Sequence, residues 1–119
     1  MKLMIVDDST VIRHKIERAV SGKNVDVIGQ AGDGREALNM FRQLAPDLVT
    51  LDITMPEMDG LEALQAMLLV QPDARVLVIS ALADKATGIE ALTKGASGFL
   101  SKPFSDIELN EALQELAAN

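Results

Sequence analysis

The sequence predicts an α/β fold, a doubly wound five-stranded parallel sheet covered by five helices. Short apolar runs alternate with segments of helical period along the whole chain. That alternation builds a parallel sheet with right-handed crossovers and helices on both faces. The run Leu48-Val49-Thr50-Leu51 is of the near-continuous apolar kind that a strand buried on both faces needs. At 119 residues, 48% of them hydrophobic, the chain is one globular domain with apolar mass for a single sizeable core.

Residues 3–6, Leu-Met-Ile-Val, form the first strand, which ends at Asp7-Asp8. Ser9 and Thr10 open a helix to residue 21, with Ile12, Ile16, Ala19 and Val20 on one face, and Gly22 stops it. Residues 25–30 alternate apolar and polar, as in a less buried strand nearer the sheet edge. Asp33 caps the second helix, with Glu36 in the capping-box position. Ala37, Leu38, Phe41 and Leu44 face inward, and Pro46 ends that helix. The third strand runs to Asp52. A turn-prone tract over 54–60 follows, punctuated by Pro56 and Asp59-Gly60. Asp59 is read as a further cap, and Leu61, Leu64 and Leu68 line the inner face of the third helix. After the turn at Pro72-Asp73, residues 75–79 form a β-branched-rich strand ending at Ser80. Residues 84–94 form a weak helix, interrupted by Gly88, anchored by Ile89 and Leu92 and closed by Gly95. Residues 98–101 are a short strand leading to Lys102-Pro103. Ser105 and Glu108 make a capping box, and Leu109, Ala112, Leu113 and Leu116 are the core stripe of the last helix. The expected strand order is 2-1-3-4-5, that of flavodoxin-like sheets as a class.

Eleven Lys and Arg against eighteen Asp and Glu leave a formal net charge of −7. That balance argues against nonspecific binding to nucleic acid or to an anionic membrane surface. It suits a cationic metal or a basic partner surface. With no cysteine there is no disulfide or thiolate chemistry, as expected of a cytoplasmic protein. The single histidine, His14, excludes a Cys/His zinc site. It lies between Arg13 and Lys15 on the polar side of the first helix, where it is expected to be exposed and without a role. No apolar run reaches transmembrane length, and the opening residues enter a strand pattern rather than a signal peptide.

In such a sheet, ligands bind outside the carboxyl ends of the strands. There stand Asp7 and Asp8, Asp52, Ser80 and Lys102. Singly, each has a plainer explanation: Asp7-Asp8 as a helix cap, Asp52 and Ser80 as turn residues, Lys102 as a solvated lysine. Together they are harder to explain that way. Three crowded carboxylates repel one another unless a cation neutralises them. Oxygen ligands with room for water suit Mg²⁺ better than Zn²⁺. Lys102 as a point charge and Ser80 as a hydroxyl donor are suited to holding an anion. A carboxylate nucleophile between a divalent cation and a phosphoryl group fits transfer to Asp52.

In order and at this spacing, the residues resemble the response regulator receiver domain of two-component signalling. The resemblance covers essentially the whole chain. It rests on Asp7-Asp8, on Asp52 with Met55-Pro56-Glu57-Met58-Asp59-Gly60 behind it, and on Ser80-Ala81. Gly95-Ala96-Ser97-Gly98-Phe99 and Lys102-Pro103-Phe104 complete it. The resemblance implies that Asp52 is the phosphoacceptor, charged from a histidine kinase or phosphotransfer protein, or from a small donor such as acetyl phosphate. It implies Mg²⁺ held by Asp8, by Asp7 directly or through water, by Asp52, and by the backbone carbonyl of Thr54. Ser80 and Lys102 would contact the phosphoryl oxygens, and Phe99 would be the switch aromatic, which its packing in the core does not preclude. The Lys102-Pro103 bond would be cis, a reading that composition alone does not support. Leu82 would overhang the site. This sequence departs from many chemotaxis relatives in having Phe99 where they have tyrosine, and Ser80 where threonine is commoner.

On this reading residues 1–119 are one receiver domain with no effector domain, a stand-alone regulator that is not an enzyme beyond its own phosphorylation and dephosphorylation. It would act as a monomer by docking a downstream protein through the face made by the fourth helix, fifth strand and fifth helix, as a chemotaxis regulator or phosphorelay intermediate does. The last helix carries Asp106, Glu108, Glu111 and Glu115 and no Lys or Arg, which disfavours the basic dimer contact of many transcription-factor receivers. A flavodoxin is disfavoured, since Asp7-Asp8 would repel a flavin phosphate. A Mg²⁺-dependent aspartyl phosphatase would need an acid where Thr54 stands. A degenerate receiver serving as a phosphorylation-independent binding module is the remaining alternative, and the full set of Asp8, Asp52, Ser80 and Lys102 speaks against it.

Overall fold

The structure is a computed structural model that describes residues 1–54, 60–81 and 85–118. Strands and helices alternate as β1 (Lys2–Val6), α1 (Thr10–Val20), β2 (Asp26–Ala31), α2 (Gly34–Leu44), β3 (Leu48–Asp52), α3 (Gly60–Val70), β4 (Arg75–Ser80), α4 (Lys85–Thr93), β5 (Gly98–Ser101) and α5 (Asp106–Ala118). The strands form one parallel sheet in the order β2-β1-β3-β4-β5, as expected.

The period-2 alternation of each strand divides its side chains between two cores. Met4, Val6, Val49, Leu51, Val76 and Val78 face one way and pack against Phe41 of α2, Leu64 and Met67 of α3, and Ala91 of α4. Leu3, Ile5, Leu48, Leu77 and Ile79 face the other way, toward Ile16 and Val20 of α1 and Leu109, Leu113 and Leu116 of α5. Each fully buried Leu, Ile or Val contributes about 1.5–3 kcal/mol of transfer free energy. β3 is buried along its full length, whereas the edge strands β2 and β5 are mostly half-exposed.

The helix starts follow their capping residues. Ser9 Oγ accepts from the Ile12 N–H at 3.2 Å, and Asp33 Oδ1 from the Glu36 N–H at 2.8 Å. Ser105 and Glu108 bond reciprocally, at 3.1 and 3.0 Å. At the end of α2, Ala45 takes a left-handed conformation (φ 45°), and its N–H bonds the Phe41 carbonyl. Pro46 follows it and disfavours continued right-handed helix at that position. The cap assigned to Asp59, and Met55, Pro56, Glu57, Met58, Leu82 and Asp84, lie outside the described residues.

One expectation is corrected. Ile89 and Leu92 do not anchor α4; they are 54% and 51% exposed, while Ala91 is fully buried. Gly88 and Ala91, three residues apart, make the inward face, and a Cβ added at Gly88 would stand 3.9 Å from the Phe99 ring. The helix approaches the sheet through its smallest residues. That turns the larger apolar side chains, about 100° away on the helical wheel, toward solvent.

Candidate functional site

The parallel strands end along one edge of the sheet, and the polar residues of the sequence pattern gather there. Asp7 follows β1. It is 1% exposed, its N–H bonds the Ala31 carbonyl at 3.1 Å, and its Oδ1 accepts from the Ser9 N–H at 2.9 Å. Asp52 ends β3 and is 2% exposed. Its Oδ1 accepts from both the N–H and the hydroxyl of Thr54, at 3.0 and 2.9 Å. Each acid thus closes a turn by accepting from the residue two ahead, the local habit of Asp at a chain reversal.

Lys102 reaches in from the end of β5. Its backbone N–H bonds the Ser80 carbonyl at 2.9 Å. Its Nζ donates to Asp7 Oδ2 at 2.8 Å and lies 3.5 Å from Asp52 Oδ2. Ser80 is fully buried at the end of β4 and pairs with Ser101 across to β5. Asp8 stands exposed at the rim. Asp7, Asp8 and Asp52 each offer a carboxylate oxygen within 4.8 Å of one another.

Burial raises the Asp7 pKa from its ordinary 3.8, and the Asp52 charge adds to the rise; hydrogen bonds from Lys102 and the Ser9 N–H oppose it. For Lys102, burial disfavours the ammonium, but the Asp7 hydrogen bond and the charges of Asp52 and Asp7 outweigh it and raise the pKa above 10.5. Among the described residues, the Lys102 ammonium thus meets two buried carboxylates, Asp7 and Asp52, and the exposed Asp8 carboxylate lies within 4.8 Å of both. A hard divalent cation meets in this set only oxygen donors, with Asp8 at the open side where water can complete its shell.

α3 approaches this edge closely. A Cβ at Gly60 would stand 2.2 Å from Ile53 Cα and 2.7 Å from the Asp52 carbonyl oxygen, so only glycine lets the helix start against the strand end. The Lys102–Pro103 peptide is cis. Phe99 is not among the carboxylates. It pairs with Val78, two residues before the Ser80–Ser101 pair, and packs half-buried toward α4. His14 is exposed.

The sequence pattern assigns Thr54 only its backbone carbonyl and Arg13 no contact with the acids, whereas the structure gives each a side-chain role. The Thr54 hydroxyl orients Asp52, and its signal was the Asp-x-Thr spacing of a side-chain turn. Arg13 donates from Nη1 to the Asp7 backbone carbonyl and from Nη2 to Thr10 Oγ1 at 3.2 Å, which ties the first turn of α1 to the end of β1. Helical periodicity places Arg13 on α1 but says nothing of its reach.

Among the described residues, no helix is long and apolar enough to cross a membrane. The family model for the response regulator receiver domain matches residues 3–114. The chemotaxis protein CheY of Listeria monocytogenes is 42% identical over 117 residues, covering 98% of this chain and 98% of that protein. CheY of Thermotoga maritima is 38% identical, covering 98% and 97%. Among solved structures, the CheX–CheY–BeF3–Mg²⁺ complex from Borrelia burgdorferi matches with a TM-score of 0.95 and 32% identity, covering 98% of this chain and 89% of that one. The edge of carboxylates, hydroxyl and ammonium, the sheet order and these matches have one conclusion: the chain belongs to the response regulator receiver domain family.

Proposed function

We propose that this chain is a stand-alone response regulator whose Asp52 accepts a phosphoryl group. The observation that carries the reading is the meeting of Asp7, Asp8 and Asp52 within 4.8 Å beside the ammonium of Lys102. The donor set fits Mg²⁺, with Asp7, Asp8, Asp52 and the Thr54 backbone carbonyl as the groups that would hold it. When bound, the ion supplies charge neutralisation at the carboxylates and the phosphoryl oxygens.

The residues of the chain do the rest. The Thr54 N–H and hydroxyl hold the Asp52 carboxylate in one orientation. An Asp52 oxygen forms a bond to phosphorus as the P–N bond of a kinase phosphohistidine breaks. The imidazole leaves with the electron pair, and Asp52 becomes an acyl phosphate. Lys102 gives up part of its contact with the two acids to meet the new phosphoryl oxygens, and Ser80 donates its hydroxyl to them. Water attack on phosphorus later restores the carboxylate and releases phosphate.

Phe99, between Ser80's end of the sheet and α4, is the aromatic through which the change reaches the α4-β5-α5 face. That face docks the downstream protein. In the Borrelia structure the CheY chain forms a complex with CheX, so a chain of this fold is seen bound to another protein. The chemotaxis relatives are matched over 97–98% of their own length, which supports reading residues 1–119 as a one-domain regulator.

The test is intact mass after incubation with Mg²⁺ and acetyl phosphate. Wild type gains one phosphoryl group, while Asp52→Asn, or wild type in EDTA, gains none. Equal labelling of wild type and Asp52→Asn, or none in either, would overturn the proposal.

A further inference from the structure

Lys15 is half-buried on α1, and its Nζ makes two contacts with Phe104, far along the chain. It donates to the Phe104 backbone carbonyl and lies 4.4 Å from the centroid of the Phe104 ring. The ring itself is buried in the core between α1 and α5. Phe104 stands two residues after Lys102, whose ammonium bridges Asp7 and Asp52. On its N-terminal side Lys102 is held by the sheet, through its own N–H on the Ser80 carbonyl. On its C-terminal side Pro103 has no N–H to give. The chain is next gripped by a polar group at the Phe104 carbonyl, just before the capping box of Ser105 and Glu108 starts α5.

We propose that Lys15 is a positioning residue for Lys102: by holding the Phe104 carbonyl and ring it fixes the segment from which the Lys102 ammonium reaches the carboxylates. The reasoning is mechanical. Lys102 has a flexible four-carbon stem, so its head group is placed no better than its backbone is. A charge-assisted hydrogen bond to a carbonyl, reinforced by a cation over a buried ring, is among the firmer restraints a half-buried side chain can provide. α1 then clips both flanks of the cluster: Arg13 takes the Asp7 carbonyl and Lys15 the Phe104 carbonyl. A small displacement of a catalytic group is enough to slow a reaction substantially. The consequence for phosphoryl transfer rests on the function proposed above; the placement of Lys102 does not.

Lys15→Met keeps an unbranched apolar stem against the ring and removes donor and charge, and Lys15→Arg keeps both. The first measurement is side-chain ¹³Cε relaxation of Lys102 in the metal-free proteins. Lys102 becomes more mobile in Lys15→Met and returns to wild-type order in Lys15→Arg. The second is the rate of phosphoryl uptake from acetyl phosphate at saturating Mg²⁺. It falls about tenfold in Lys15→Met and stays within about twofold of wild type in Lys15→Arg, with the Mg²⁺ affinity unchanged in both. Unchanged Lys102 relaxation in Lys15→Met overturns the proposal, as does a loss of order that Lys15→Arg fails to restore. Wild type that takes up no phosphoryl group removes the functional reading, while the relaxation measurement still decides the positioning.

Discussion

At the scale of single residues, the site is a balance between burial and pairing, and Asp7 shows which side dominates. Burial first, and then the Asp52 charge, raise its pKa above 3.8 despite the Lys102 contact at 2.8 Å. The folded protein therefore holds this proton more tightly than the unfolded chain. For such a group the stabilising contribution is complete below the ordinary value and is lost as pH rises through the raised one. Asn at this position imitates the neutral acid and can still accept from Lys102. In EDTA, Asp7→Asn is expected to be more stable than wild type at pH 7 by about 1 kcal/mol, the usual scale of a single substitution. The advantage should shrink as pH falls through the carboxylate range. Urea melts of both proteins between pH 3 and 7 would check it. An advantage that is flat in pH, or larger in acid, would contradict this account.

Among the helices, α4 is the shortest and the least buried. It has nine residues, a single fully buried one in Ala91, and Gly88 in its middle. Glycine inside a helix is destabilising by about 0.5–1 kcal/mol relative to alanine. A Cβ at position 88 would meet the Phe99 ring at 3.9 Å, ordinary van der Waals contact. Gly88→Ala should therefore raise stability by about 0.5–1 kcal/mol, seen as a higher denaturant midpoint at unchanged slope. Hydrogen exchange across α4 should slow. A lower midpoint would mean that the helix depends on a closer approach to Phe99 than 3.9 Å. The expectation that α4 is weak was legible in its composition. Which of its faces turns inward was not, because helical period alone does not distinguish packing through large residues from close approach through small ones.

For the whole molecule, the question is whether the edge of charges acts on a face two elements away. Ser80 ends β4, and Phe99 lies on the neighbouring β5 against α4. A phosphoryl dianion beside Ser80 would draw its hydroxyl into a charge-assisted hydrogen bond. The Phe99 ring, having no hydroxyl, can then transmit the change only by shape and apolar contact. Ser80→Ala is expected to leave Asp52 phosphorylation in place and to weaken the response of α4 and β5. Backbone NMR shifts with and without the beryllofluoride phosphoryl mimic test this in both proteins. Equal shifts over residues 85–101 would disprove the coupling.

The sequence by itself determined the alternation of elements, their capping residues and the identity of the polar groups at the strand ends. These depend on local physics: a period of two or 3.6, a side-chain oxygen that reaches the N–H two or three residues on, an apolar run of strand length. Ser9, Asp33 and the Ser105–Glu108 pair cap as their local sequence dictates. The tertiary structure alone decided which charges pair. Lys102 and Asp7 are 95 residues apart, and Lys15 and Phe104 are 89 apart. It also decided that Asp7 is buried while its neighbour Asp8 is exposed. A sequence pattern records what each residue can do. Distance and solvent access between remote residues exist only once the strands are side by side, and those two quantities set the strength of every charge interaction at the site.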